Sequence, residues 1–226
     1  MTRSKIKDAP KMSRREATQT AIMRSVECLA AENGLENISI RDILARAGQK
    51  NESALQYHFK NLSGLLAAIR RARAQEVAAR RQQYLEVLLD KSPKLNLRQI
   101  CSVMVMPAFD LAKTAPGFKT YIQAFGHELM GADRERVEAH TRALGDSAFE
   151  TGVLLQKALP HLDRVTYHTR VEHAFRFVSA AMNQHAQQPR AFKGKSAEIF
   201  VQNLIDALEG LLKAPVSAET RAASEK

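Results

Sequence analysis

The sequence predicts an all-α fold, with short helices packed into a small unit at residues 13–61, a long helix after it and a helical bundle reaching residue 213. Three observations carry that expectation. Apolar residues recur at helical spacing behind residue pairs suited to cap helix starts. From Leu62 to Leu89 the chain is rich in Ala, Leu, Arg, Gln and Glu and has no Gly or Pro beyond Gly64, a composition that favours one long helix. No stretch alternates apolar and polar residues strongly enough to compete as a strand.

Taken in order, Ser13 and Glu16 have capping-box spacing and start the first helix, which buries Ile22, Val26, Leu29 and Ala30 and stops at Gly34. Ser39 and Asp42 repeat the start signal. Ile40, Ile43, Leu44 and Ala47 then form the apolar stripe of a short second helix closed by Gly48. Asn51 is placed to cap a third, in which Leu55 and Phe59 lie four apart and point inward, leaving Glu52, Ser53, Gln56 and Tyr57 outward. After the long helix, Pro107, Pro116, Gly131, Pro160 and Pro189 divide the remainder into moderate helical segments. The clearest late stripes are Tyr167, Val171, Ala174, Phe175, Val178, Ala181 and Met182 in one segment, and Phe200, Leu204, Leu208, Leu211 and Leu212 in another. Residues 1–12 read as a mobile basic arm and 214–226 as a disordered tail.

Length and composition exclude several classes. A chain of 226 residues, 45% apolar and 26% charged, suits one soluble domain or two small ones. No apolar run approaches the ~18 residues of a membrane span. The opening MTRSKIKDAPKMSRRE lacks the apolar core of a secretory signal, so the cytoplasm is the expected compartment. Cys28 and Cys101 stand far apart in apolar contexts without a metal-type spacing, and read as reduced core thiols.

Charge is placed unevenly. Residues 1–81 hold 16 Lys or Arg against 8 Asp or Glu, a net of +8, and residues 82–226 hold 18 against 16, a net of +2. A basic N-terminal third favours a polyanion, because each phosphate neutralised releases condensed counterions. Membrane headgroups are the weaker alternative. Two short helices joined by a Gly-containing turn, the second with a polar outer face, meet the needs of a helix-turn-helix DNA reader. Gln56 can pair with adenine, Ser53 with several bases and Glu52 with cytosine N4, while Arg41, Lys50 and Lys60 can meet phosphates. The bland alternative is a solvated surface helix.

NGLENISIRDILARAG followed by ALQYHFKNLSGLL resembles the N-terminal domain of TetR-family transcriptional regulators, with the specific part spanning residues 13–70. The resemblance implies an all-helical homodimer with a three-helix DNA-binding domain, a connecting helix and a divergent C-terminal domain that binds ligand and dimerises. On the family's pattern Ser39 caps helix two, Gly48 is the turn glycine, and Tyr57 and His58 contact the DNA backbone. Three positions depart from it: the run from Gly48 to Tyr57 is one residue longer, Leu44 stands where a small residue is usual, and Leu62 replaces a phosphate-binding lysine. Lys60 is the cation placed to restore that contact.

Many Phe, Tyr and Met side chains lie in residues 95–185, including Met104, Met106, Phe109, Phe118, Tyr121, Phe125, Met130, Phe149 and Phe177. They suit either a pocket for a small, mostly apolar effector or ordinary core packing. Gln123, His127 and Glu128 can add polar anchors. Val171, Phe175, Val178 and Met182 of residues 163–186, with Phe200, Leu204, Leu208 and Leu211 of residues 196–213, are expected to form a dimer interface, burial within one subunit being the alternative. No cofactor is expected. HELMG at residues 127–131 lacks the second His of a zinc HExxH site, and no phosphate-binding glycine loop or GxSxG elbow occurs, so no enzyme is expected. His168 and Glu172, four apart, read as a helix-face pair rather than metal ligands. A helical adaptor for another protein is the remaining alternative.

Overall fold

The computed structural model describes residues 13–128 and 145–224, and all regular structure among them is helical. The chain divides into two compact units, one ending at Ala68 and the other beginning at Ile69.

In the first unit, α1 spans Arg14–Asn33 and starts on the expected capping box: Ser13 Oγ accepts from the Glu16 N–H at 3.2 Å, and Glu16 Oε2 accepts from the Ser13 N–H at 2.8 Å. Gly34, at φ 84°, ends it, and a short 3-10 turn follows at Leu35–Asn37. α2 spans Ile40–Arg46 behind Ser39, whose hydroxyl accepts from the Asp42 N–H at 3.2 Å and donates to the Asp42 carboxylate at 2.5 Å. Gly48, at φ 67°, takes the chain out of α2. α3 spans Ser53–Phe59, and its N-cap is Glu52, without a side-chain cap, rather than the expected Asn51; Asn51, one residue earlier, still accepts from the Ser53 N–H through Oδ1 at 3.0 Å. α4, Leu62–Lys91, begins in this unit with Asn61 Oδ1 accepting from the Gly64 N–H at 2.8 Å.

These helices meet on Ile22, Val26, Leu29 and Ala30 of α1, Ile43 and Leu44 of α2, Leu55 and Phe59 of α3, and Leu65 of α4, all buried. Each large apolar side chain removed from water contributes about 1.5–3 kcal/mol. The stripe expected on α2 is narrower than its spacing suggested: Ile40 and Ala47 are only half-buried. Arg46 ties α2 to α1 through Glu32 at 2.7 Å, an exposed pair of small energetic weight.

The second unit contains the rest of α4, then α5 (Leu97–Thr114), α6 (Phe118–Phe125), α7 (Gly145–Ala158), α8 (Arg164–Ala186), α9 (Gly194–Lys213) and α10 (Ala218–Ser224). Pro116, Pro160 and Pro189 fall between helices as expected, and Gly131 lies outside the described residues. Pro107 does not divide the chain. It sits inside α5, where the missing N–H leaves the Val103 carbonyl without its helical donor, a local loss that the buried packing of Val103, Val105, Phe109 and Leu111 offsets. The unit's core runs through Leu85, Ile100, Phe109, Phe118, Leu155, Leu208 and their neighbours.

α6 is held on α8 by side chains that reach backbone carbonyls. Gln123 Nε2 donates to the Ala186 carbonyl at 2.8 Å, Asn183 Nδ2 to that of Ile122 at 2.7 Å and Ser179 Oγ to that of Gly126 at 2.7 Å. The expected His168–Glu172 pair is not made. Glu172 instead binds Arg176 at 2.8 Å, a permanently charged partner one turn on.

The C-terminal segment is more ordered than its composition suggested. Arg170 donates to the carbonyls of Leu212, Ala214 and Pro215 at the end of α9, where helical carbonyls lack donors. Ser217 Oγ then accepts from the Thr220 N–H at 3.2 Å and starts α10. The expectation of a disordered tail therefore fails for residues 214–224 because two polar side chains supply the missing partners. The arm at residues 1–12 lies outside the described residues, and no described helix is long and apolar enough to cross a membrane.

Candidate functional site

α3 is seven residues long, too short to persist alone, so its position depends on the two side chains it buries. Leu55 is 2% exposed and Phe59 is 8% exposed. Their spacing leaves Glu52, Ser53, Gln56 and Tyr57 exposed on the other side, with Tyr57 at 70%. Arg15 of α1 lies 5.6 Å from the Tyr57 ring centroid, a cation–π contact that restrains this exposed ring.

The structure brings the other sequence-predicted contacts into the same unit. Ser39, Arg41, Lys50, Asn51 and Lys60 are all exposed, with Ser39 occupied in capping α2 and Asn51 Oδ1 accepting from the Ser53 N–H. His58 is half-buried between the Tyr57 and Phe59 rings, and its Nδ1 is buried without a hydrogen-bond partner among the described residues. Lys60 occupies the C-cap of α3 at φ 69°, a backbone region that favours glycine. Gly64 was not singled out by sequence. A Cβ there would stand 2.1 Å from the Phe59 carbonyl oxygen, so only glycine permits the first turn of α4 to approach α3 this closely.

In the second unit the aromatic residues expected around an effector divide into separate groups. Tyr121 of α6 lies near both Phe118 and Phe125, with ring centroids 5.7 and 5.2 Å away. Arg73 stands 5.5 Å from the Phe118 ring and 5.9 Å from that of Tyr121, and Arg70 stands 5.7 Å from Phe125 while its guanidinium grips Glu128 at 2.8 and 2.5 Å. Phe109 packs instead on Phe192, 5.6 Å away. Met104, Met106 and Phe177 are half-buried against the core. His127 is exposed, and Phe149 is 77% exposed, on the surface of the described chain rather than among the buried rings. Met130 lies outside the described residues.

The residues expected at a dimer interface also separate. Met182, Leu204 and Leu208 are at most 4% exposed within the chain itself, so they have no surface to offer a partner and belong to the core. This corrects the expectation for those three. Val171, Phe175, Val178, Phe200 and Leu211 remain partly exposed on α8 and α9. Cys28 and Cys101 are free thiols, and burial pushes the Cys101 thiol up to about 12, which keeps it unreactive.

Together these features define an all-helical chain in which a helix-turn-helix unit precedes a separate helical bundle. Among solved structures the chain is similar to the TetR family transcriptional regulator PfmR from Thermus thermophilus, with a TM-score of 0.52 and 18% sequence identity over 91% of this chain and 98% of that one. Identity this low shows a shared fold. No family model and no curated protein matches the sequence.

Proposed function

We propose that the chain is a sequence-specific DNA-binding transcriptional regulator that acts as a homodimer in the cytoplasm and responds to a small molecule. The observation that carries this reading is the α3 face: Gln56, Ser53 and Glu52 exposed on a backbone anchored by buried Leu55 and Phe59. An α-helix fits a B-DNA major groove, and reading base edges needs hydrogen-bonding side chains on a rigid support. Arg41, Lys50 and Lys60 supply cations for phosphates, Ser39, Asn51, Tyr57 and His58 supply further backbone contacts, and the net charge of +8 over residues 1–81 supplies long-range attraction. The fold shared with a TetR family transcriptional regulator supports the same reading.

A two-fold operator requires a two-fold reader, for which the half-exposed residues of α8 and α9 (Val171, Phe175, Val178, Phe200 and Leu211) are the proposed contact. The effector binds the second unit beside side chains such as Phe118, Tyr121, Phe125 and Glu128, and favours a spacing of the two DNA readers that the operator does not accept, so that it releases a repressor. Selection of bound duplexes from a random pool, followed by competition between the selected and scrambled duplexes, tests the DNA step. A single enriched palindrome is expected, bound at least a thousandfold more tightly than scrambled duplex, on the order of the usual specificity ratio. Equal binding to every duplex would leave the adaptor reading in its place.

A further inference from the structure

Arg15 belongs to α1, outside the helix-turn-helix, yet its guanidinium lies over the ring of Tyr57 on α3, 5.6 Å from the centroid. The Tyr57 ring is 70% exposed and also meets that of His58, with centroids 4.9 Å apart and planes at 80°. Two neighbours thus hold a side chain that most of its surroundings leave in water. The backbone under Arg15 is fixed as well, by the Ser13–Glu16 capping box and by Ile22 and Val26, both wholly buried one and two turns further along α1.

Folding alone gives Arg15 little reason to be a cation. It stands in the first turn of α1, where the helix dipole disfavours positive charge. The adjacent acid, Glu16, is committed to Ser13, and Arg15 makes no ion pair among the described residues, whereas Arg46 pairs with Glu32 and Arg73 with Glu76. Its charge is therefore open to an outside anion. A guanidinium resting on an aromatic face keeps its N–H donors, which suit phosphate oxygens, and the Tyr57 hydroxyl beside it makes no hydrogen bond among the described residues. A cation already held in place gives up less side-chain freedom on binding than one on a free stem.

We propose that Arg15 is a further contact to the DNA backbone, a cation held by the Tyr57 ring next to that residue's own hydroxyl, so that one phosphate-binding patch spans α1 and α3. The proposal rests on the DNA-binding reading above and extends it to a helix that the reading leaves out. Arg15 meets phosphate and reads no base, so it contributes equally on every sequence.

The test titrates the full-length protein with a selected duplex and a scrambled one over a range of salt. Arg15→Gln is expected to weaken binding to both by the same factor and to reduce the salt slope by about one. Arg15→Lys, which keeps the charge, is expected to retain the slope. Tyr57→Leu removes the ring, and in that background Arg15→Gln is expected to cost a smaller factor than in the parent. Both residues are exposed, so the thermal midpoints of all these variants are expected to stay within about two degrees of the parent's, which separates binding from folding. An unchanged slope in Arg15→Gln, a loss confined to the selected duplex, or an equal factor in the two backgrounds overturns the proposal while the DNA-binding reading stands. A parent that binds all duplexes alike, with a slope that Arg15→Gln lowers, keeps the backbone contact and removes the sequence-specific reading. A parent without salt-dependent binding to any duplex removes both.

Discussion

Gly64 and Phe59 approach so closely that a Cβ on Gly64 would lie 2.1 Å from the Phe59 carbonyl oxygen. The obstacle is backbone, which cannot swing aside as a long side chain does. Gly64→Ala is therefore expected to cost about 1–3 kcal/mol through overpacking at the junction of α3 and α4. It is also expected to weaken duplex binding more than its loss of stability explains, since α3 must shift. Chemical denaturation and duplex titration of the same variant check both. Wild-type stability in Gly64→Ala would mean that the close approach of the Phe59 carbonyl does not constrain residue 64.

Lys60 presents two separable properties, a φ of 69° and a positive charge. Holding a non-glycine residue there costs on the order of 1 kcal/mol or more. Lys60→Gly is expected to stabilise the protein and Lys60→Ala is not, whereas both are expected to reduce the salt slope of DNA binding by about one. The slope is read from the affinity between low and moderate salt. An unchanged slope in both variants removes Lys60 from the phosphate contacts.

Leu55 and Gln56 are adjacent and are expected to fail in different ways. Leu55, 2% exposed, supports α3, and Leu55→Ala is expected to cost about 2–5 kcal/mol of stability and to weaken binding to all duplexes together. Gln56 is exposed, so Gln56→Ala is expected to leave stability within about 0.5 kcal/mol. Its loss is expected to fall on one base pair of the selected site, at about 1–3 kcal/mol. Repeating the duplex selection with Gln56→Ala shows whether a single position relaxes.

His185 stacks on Phe200 with ring centroids 3.7 Å apart, and its Nε2 accepts from the Phe192 N–H at 3.4 Å. Burial, and secondarily the charge of Lys119, hold its pKa below the ordinary 6.5. The folded chain thus binds this proton less readily than the unfolded chain does. Its contribution to stability is complete above pH 6.5 and is lost as the pH falls toward the lower folded-state value. Denaturation midpoints measured from about pH 7.5 down to about 5 are expected to fall more steeply for the parent than for His185→Gln, which cannot take up the proton. Parallel curves would separate His185 from this acid sensitivity.

Local signals were legible without the fold. Ser13 with Glu16 and Ser39 with Asp42 act within three residues, so their capping roles follow from spacing alone. The length of α4 and the inward turn of Leu55 and Phe59 were legible for the same reason, because helical periodicity is a property of neighbours in sequence. The apolar stripes of α8 and α9 showed that those faces had to be covered, but not by what. Only packing assigned Met182, Leu204 and Leu208 to the chain's own core and left Phe149 at the surface.

Contacts between residues far apart in sequence belonged to the tertiary structure. Arg70 finds Glu128 58 residues away, and Arg170 reaches Leu212 at the end of α9, 42 residues on. Arg81 carries no sequence mark that separates it from Arg80 beside it. Helical phase turns one toward the core and leaves the other half-buried, a difference that only the packing of the surrounding helices sets.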